Sequence, residues 1–271
     1  MNKTMLIGAA AAMLTTGCVI AINPSYADQH SQQSLSLSTQ SLNQLMIDAG
    51  AGSLSVYGQT GLDEITVEAD IYHEKGAEHK VELSLKKKGK AAELISRIDT
   101  MGNWQGQSPR IDLVVNVPAK LLLDIEDGSG AIVVRDIDNA VSIDDGSGSI
   151  ELVNVSGEVR INDGSGKIEL ANVGNSVDIK DGSGSIDINE VNGDLAIDDS
   201  SGSIEVAQVS GNTDIEDGSG SLTVHDVGGV VTIDDGSGSI EVKRAGGLNI
   251  ISDGSGGVTI KDVKGQVAVN D

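Results

Sequence analysis

A tandem repeat of 18 residues constrains this chain more than any other feature of its sequence. The tetrapeptide Asp-Gly-Ser-Gly, once Asp-Ser-Ser-Gly, recurs without a gap through the C-terminal half. A repeat this short cannot enclose a core of its own, so successive repeats must stack on one another. The period therefore predicts an all-β solenoid, or β-helix, with coils of 18 residues over 127–271. The eight Asp that open the repeats are Asp127, Asp145, Asp163, Asp181, Asp199, Asp217, Asp235 and Asp253.

The apolar residues of the repeat indicate how one coil is built. With the Asp counted as position 1, positions 6, 8, 11, 15 and 17 are apolar in almost every repeat. Positions 6 and 8 are two residues apart, and so are positions 15 and 17. This spacing predicts two short strands, each with one face inward. The Asp-Gly-Ser-Gly motif and the frequent Gly at position 13, such as Gly157, predict turns in which Gly adopts a positive φ. The coils then form a flattened tube of two parallel sheets.

The aromatic content agrees with a thin core. The 271 residues include one Trp, three Tyr and no Phe, and large rings would not fit between two closely spaced sheets. One coil departs from the pattern, because Leu248-Asn249-Ile250-Ile251 places a polar residue at inward position 15. This coil is predicted to contain a bulge or to expose an apolar surface patch.

Residues 28–126 lack the period and are predicted to form an irregular, β-rich capping region. The segment 47–56 nevertheless aligns without a gap onto 143–152, with Ala49 in place of the repeat Asp and Ala51 in place of the repeat Ser. It is predicted to be a degenerate coil. Alternation of apolar and polar residues predicts strands elsewhere, whereas Lys86–Lys90 is expected at a hairpin tip and 101–109 in a loop. The predicted strands are 34–38, 64–71, 80–85 and 111–118.

The first 27 residues have the features of an export signal. Lys3 precedes a mostly apolar stretch, and Ser25 and Ala27 supply the small residues that precede a cleavage site. The alternative is a lipoprotein signal ending before Cys18, which would give the protein a lipid anchor as its one attachment to a membrane. Both alternatives predict an exported bacterial protein of the periplasm, the outer membrane or the cell surface.

The repeat Asp residues allow two interpretations. In the first, each carboxylate caps its own turn by accepting hydrogen bonds from the residue two positions on, and no cofactor is needed. In the second, Ca²⁺ ions lie between the coils, since this cation prefers carboxylate and carbonyl oxygens. Calcium-binding β-rolls also have coils of this length. The position that Asp holds in their repeat motif is occupied in this chain by Ile, as at Ile150.

Charge and residue types limit the other functions. The chain carries 41 acidic and 18 basic residues, which disfavours nucleic acid and anionic lipid as partners. The four His are scattered and no Ser nucleophile motif is present, so no catalytic residues are predicted. A polysaccharide-binding or polysaccharide-cleaving protein is an alternative, and its sugar-stacking residues would have to come from Trp104, Tyr57 and Tyr72.

Three features together resemble the bacterial putative-adhesin family. They are the segment Gly50–Val56, the segment Ile111–Pro118, and repeats of the type Ser-Gly-Ser-Ile-Glu-Val after an export signal. The resemblance covers about residues 45–271 and implies an envelope protein with a β-solenoid core, with no binding residues to carry over. The leading hypothesis is a non-enzymatic, acidic β-solenoid of the cell envelope that acts as a binding or structural surface. Its last coil is expected to self-associate end to end.

Overall fold

The described part of the chain is built from β-strands alone. A computed structural model describes residues 20–21, 28–74, 78–101 and 109–270. The first nine strands are β1 (Ile20–Ala21), β2 (Asp28–Ser38), β3 (Gln44–Ala51), β4 (Leu54–Gln59), β5 (Glu64–Glu74), β6 (Glu78–Lys88), β7 (Ala91–Met101), β8 (Arg110–Pro118) and β9 (Leu122–Ile137). The repeat continues with β10 (Val141–Asp145), β11 (Gly148–Val155), β12 (Val159–Asp163), β13 (Gly166–Val173), β14 (Val177–Asp181), β15 (Gly184–Val191), β16 (Leu195–Asp199), β17 (Gly202–Val209), β18 (Thr213–Asp217), β19 (Gly220–Asp235), β20 (Gly238–Ser252), β21 (Val258–Lys261) and β22 (Val267–Val269).

Each regular coil consists of a five-residue strand and an eight-residue strand joined by the repeat motif. In the coil of β10 and β11, the first strand ends on Asp145 and the second begins on Gly148. Every strand pairs in parallel with its equivalent in the next coil, so that Ile143 lies beside Ile161 and Ile150 beside Ile168. The predicted solenoid with 18-residue coils is confirmed.

The N-terminal region stacks in an order different from its order along the chain. β3 pairs in parallel with both β7 and β9, and β4 pairs in parallel with both β8 and β9. The coil of β3 and β4 therefore lies between the first repeat coil and an outer coil made of β7 and β8. Ala49 lies beside Asp127 and Leu54 beside Ile132, which confirms the degenerate coil in the predicted register.

Antiparallel strands extend the two sheets at the N-terminal end. β6 pairs with β7, and β2 pairs with β5, which pairs with β8. The predicted hairpin tip is confirmed, because Lys88 lies opposite Ala91 and Gly89 adopts a φ of 66°. The predicted leader, except for Ile20–Ala21 in β1, and loop residues 102–108 lie outside the described residues. No helix in the described part of the chain is long and apolar enough to span a membrane.

One continuous aliphatic core runs along the solenoid axis. Its buried members are Leu, Ile, Val and Ala residues from Leu45 to Ile250, with no aromatic ring among them. Positions 6, 8, 11, 15 and 17 supply these residues, as Ile132, Val134 and Ile137 illustrate with exposed fractions of 0 to 1%. Because like residues stack on like residues, the core has nearly the same width in every coil.

The turn prediction was right at the repeat motif, and at position 13 it was right about the turn but wrong about the positive φ. The second Gly of the motif has a positive φ, as at Gly184 with 149°, whereas Gly157 at position 13 does not. A Cβ on Gly157 would lie 2.3 Å from the carbonyl carbon of Asn139, so this Gly permits close stacking of the coils. The eight-residue strand contains a further left-handed residue at position 10, where non-Gly residues adopt φ values of 55° to 68°. They are Asp136, Asn154, Asn172, Glu190, Gln208, Asp226, Arg244 and Asp262.

The irregular coil at 235–252 contains the predicted bulge. Ile233 pairs with Ile250, but Asp234 pairs with Ser252, so Ile251 is an extra residue in its strand. The register has already shifted by one residue before this point, because Val227 pairs with Ala245 but Val230 pairs with Gly247. Leu248 and Ile250 therefore face the core with exposed fractions of 2% and 0%, whereas Ile251 is 48% exposed. The first shift keeps the polar residue at position 15 off the inward face, and the extra residue Ile251 returns the strand to the register of the neighbouring coil.

Candidate functional site

The repeat Asp residues lie inside the solenoid. Position 1 is the third inward-facing residue of its strand, after positions 15 and 17, and the burial pattern of each five-residue strand ends on a buried residue. Seven of these side chains are between 1% and 8% exposed, while Asp253 is half-buried. The name Asp column is used below for the seven, which are Asp127, Asp145, Asp163, Asp181, Asp199, Asp217 and Asp235.

In six of the seven members of the Asp column, one carboxyl oxygen caps the turn that follows it. From Asp145 to Asp235, Oδ1 accepts a hydrogen bond from the amide of the Ser two residues on, at 3.0 to 3.2 Å. The two Gly amides of the turn bond to neighbouring coils instead, Gly146 to the Asp127 carbonyl and Gly148 to the Ser165 carbonyl. The Asp side chain thus accepts a hydrogen bond from the Ser amide, the one amide of the turn that the hydrogen bonds between coils do not use. The turn-capping interpretation is confirmed for the Ser amide.

The other oxygen has no partner. Oδ2 is buried and without a hydrogen bond in all seven members of the Asp column. Burial, above all, raises the pKa of these groups, and nearby acidic groups raise it further, to about 7 for Asp127 and about 6 for Asp217. In stacked strands about 4.8 Å apart, two ionised neighbours would repel by about 3.5 kcal/mol at an effective dielectric constant of 20.

The arrangement offers few ligands to calcium. No three Asp, Glu, His or Cys side chains of the described residues are grouped so that they could hold a metal ion. Ca²⁺ takes six to eight oxygen ligands, whereas each coil contributes one unpartnered carboxyl oxygen. The carbonyls of Asp127 and Ser165 already accept amides from neighbouring coils. A calcium site at the repeat Asp residues stays a prediction.

A second set of carboxylates lies on the outer face of the sheet that contains β11, β13, β15 and β17. The residues at position 7 of four successive coils are in register there, next to a floor of small side chains that includes Ala171 and Ala207. They line an open groove of about 570 Å³. The name acidic row is used for these four residues, which are Glu151, Glu169, Asp187 and Glu205.

Ion pairs neutralise only one end of the acidic row. Glu151 pairs with Arg135 and Glu169 pairs with Lys167. Among the ion pairs of the described residues, none involves Asp187 or Glu205, both of which are exposed. The C-terminal end of the row therefore presents two carboxylates to solvent without a direct ion pair, although Asp187 is close enough to Lys167 to help raise the pKa of that ammonium group.

The ring of Tyr72 in the capping region is not open for stacking on a ligand. Tyr72 stacks on His30 with ring centroids 4.5 Å apart, and the Arg110 guanidinium lies 4.0 Å from the Tyr72 centroid. Both faces of the ring are therefore covered, and the three residues join neighbouring strands β2, β5 and β8. Trp104 and Cys18 lie outside the described residues.

His30 and His225 lie far apart in the structure. His30 lies 2.6 Å from Asp70 in the capping region, and His225 lies 2.9 Å from Asp226 in a C-terminal coil. Neither of these two residues is hydrogen-bonded to a Ser, Thr or Cys among the described side chains, so neither is placed there as the base of a nucleophile.

Comparison with known proteins gives structural neighbours only. No protein-family model and no curated protein matches the chain. A putative adhesin from Bacteroides fragilis is 12% identical, with a TM-score of 0.40, over 88% of this chain and 97% of its own. A putative adhesin from Parabacteroides distasonis is 17% identical, with a TM-score of 0.36, over 88% and 97%. A putative cell adhesion protein from Clostridium sporogenes is 15% identical, with a TM-score of 0.33, over 89% and 99%. Their names fit the family resemblance, but the likeness is too loose to transfer a binding partner.

Proposed function

We propose that this chain is a non-enzymatic, exported bacterial β-solenoid that presents its acidic outer face to a binding partner, in the manner of an adhesin. The observation that carries this proposal is the acidic row, whose four carboxylates come from successive coils and lie in register. The parallel sheet fixes their spacing at about 4.8 Å, so the face is repetitive and preformed. A partner with repeated cationic groups would fit it best.

The distribution of charge along the chain also supports the proposal that this acidic face binds the partner. The three coils from 181 to 234 contain 12 acidic residues and neither Lys nor Arg. Asp187 and Glu205 belong to these coils and stand without an ion pair among the described residues. A surface with this field attracts cationic partners over about one Debye length, which is about 8 Å at physiological ionic strength. Nucleic acid and anionic lipid would be repelled.

The proposal of a non-enzymatic role is supported by where the titratable groups lie. The Asp column is at most 8% exposed, so its carboxyl groups do not reach a substrate on the surface. His30 and His225 belong to opposite ends of the solenoid and make separate Asp pairs. A polysaccharide-binding or polysaccharide-active role involving Trp104 stays a prediction, and glycan binding by a Trp104→Ala variant would test it.

Export is part of the proposal and has its own test. The predicted leader over 1–27 supports a mature protein in the periplasm, the outer membrane or the cell surface. Mass spectrometry of the native protein would find either an N-terminus at Asp28 or a lipid on Cys18. Full-length protein retained in the cytoplasm would contradict the proposal.

End-to-end self-association stays a prediction as well. β21 and β22 pair only with β20 among the described strands, and Val267 and Val269 are 45% and 44% exposed. Sedimentation velocity at increasing protein concentration would detect the association. A sedimentation coefficient independent of concentration would count against it.

Attachment of coated beads to bacterial cells would test the proposed function. Beads carrying the chain should attach, and the triple variant Glu169→Gln/Asp187→Asn/Glu205→Gln should attach at least tenfold less. The matched control, Asp178→Asn/Asp198→Asn/Glu216→Gln, removes three exposed charges from the other sheet and should attach like the unmodified chain. Equal attachment by the two variants, or no attachment above uncoated beads, would contradict the proposal.

A further inference from the structure

We propose that the Asp column is a proton-binding site, whose carboxyl groups hold protons near neutral pH and make the solenoid more stable in mildly acidic than in mildly alkaline solution. The ligand is the proton, which the chain takes from solvent as it folds. This inference concerns the interior of the coils and is independent of the partner proposed for the outer face.

The hydrogen bonds of the column favour the neutral acid. In Asp199, Oδ1 accepts the Ser201 amide at 3.1 Å, while Oδ2 is buried and receives no donor. An ionised carboxylate needs donors on both oxygens to replace the water that it loses on burial. A proton on Oδ2 removes the buried charge, which is the larger part of this cost, and it leaves the turn-capping bond to Oδ1 intact.

The surroundings of the column supply no compensating cation. Along its own strand and across the core, the inward side chains are aliphatic, such as Ile197 and Ile204, apart from the uncharged Thr213. The next charged groups along the axis are other column members, with Ala49 at one end and the half-buried Asp253 at the other. Position 18 of each repeat is the residue directly before the next column member. The side chains at this position are exposed and point away from the core, and only one of them is cationic. The charged ones are Glu126, Asp144, Lys180, Asp198, Glu216 and Asp234.

The direction of the pKa shifts agrees with this geometry. Burial raises the pKa of every column member, to about 7 for Asp127 and about 6 for Asp217, and a backbone amide, that of Gly128 for Asp127 and of the turn Ser for the other six, only partly opposes the shift. Because the folded-state pKa lies above the unfolded value, the folded chain binds more protons between about pH 4 and pH 7. The resulting stability is complete below this window and is lost as the pH rises through it.

The chain contains its own matched control. Three column members directly follow an exposed Asp, in the pairs Asp144–Asp145, Asp198–Asp199 and Asp234–Asp235. The inner triple variant replaces the buried member of each pair by Asn, and the outer triple variant replaces the exposed member. Both variants remove three carboxyl groups at neighbouring positions of the same strands, and Asn retains an oxygen that can cap the turn. Any difference between them in pH dependence therefore reports the buried groups.

Thermal unfolding of the full chain between pH 5 and pH 8, at constant salt, gives the first readout. The folded-to-unfolded ratio of the unmodified chain and of the outer variant should fall at least tenfold per pH unit between pH 5 and pH 7, which corresponds to the release of one or more protons. The inner variant should show a smaller fall. Identical pH dependence in the two variants would overturn the proposal.

Infrared spectroscopy gives a second readout that does not depend on the variants folding. Folded, unmodified protein at pH 6 should show the C=O stretching band of protonated carboxylic acid, and the band should disappear on unfolding at the same pH. A folded protein whose carboxyl groups are all ionised at pH 6 would overturn the proposal, whatever the variants do.

Discussion

Ile250 and Ile251 are adjacent in the chain, yet Ile250 is fully buried and Ile251 is 48% exposed. The bulge between β19 and β20 causes this difference, because it inserts Ile251 as an extra residue while Ile250 stays beside Ile233. In a regular coil the inward side chain would be that of position 17, which is Ile251 by sequence.

The first prediction compares these two side chains. Ile250→Ala should lower the free energy of unfolding by about 2–5 kcal/mol, since it leaves a cavity in the aliphatic core. Ile251→Ala should change it by less than about 0.5 kcal/mol, as is usual at an exposed position. Thermal unfolding followed by circular dichroism measures both. A larger loss for Ile251→Ala than for Ile250→Ala would mean that the bulge is absent.

The second prediction concerns the close approach of successive turns. A Cβ on Gly184 would lie 1.6 Å from the carbonyl oxygen of Gly166, and Gly184 also has a φ of 149°. Gly184→Ala should therefore force the two coils apart and cost about 4 kcal/mol or more. Gly89 has a positive φ but open space around it, so Gly89→Ala should cost only about 1–2 kcal/mol. Similar losses in the two variants would contradict the proposed stacking of the turns.

The third prediction concerns Thr213, the one polar residue at inward position 15 of a regular coil. Its hydroxyl is buried without a hydrogen-bond partner, between Leu195 and Val231 in the neighbouring coils. Thr213→Val keeps the shape and removes the unsatisfied group, so it should stabilise the protein by about 1–3 kcal/mol. Thr213→Ser, which keeps the hydroxyl and loses a methyl group, should destabilise it. A lower unfolding midpoint for the Val variant would show that the hydroxyl has a partner.

The sequence pattern was sufficient to predict the repeat coils, because every coil has the same spacing of apolar residues and Gly. Parallel pairing in register stacks Ile143 on Ile161 and Gly148 on Gly166, so the period along the chain becomes the period along the axis. The position of the β7–β8 coil could not be predicted in this way. It contacts β3 and β4 through pairings between distant segments, and those segments share no repeat.

The burial of the repeat Asp residues was missed although the sequence contains a signal for it. Val141, Ile143 and Asp145 continue one alternation of two residues, which places the Asp on the inward face. The Asp also opens a Gly-rich turn motif, and turns usually lie at the protein surface, so the motif alone gives no indication of burial. The left-handed bend at position 10 was missed for a related reason, because a polar residue such as Asn154 inside a strand looks like an ordinary outward side chain.

Thermal unfolding of the full chain in EDTA, followed by the same measurement in millimolar calcium with magnesium as the control, tests the central claim most directly. The claim is that the Asp column belongs to the interior and closes its turns without a metal ion. The account predicts a cooperative transition in EDTA whose midpoint calcium leaves unchanged, because a ligand raises the midpoint only when it binds the folded state. A chain that is unfolded in EDTA and gains β-structure with calcium would contradict the account and would make the repeat Asp residues a metal site.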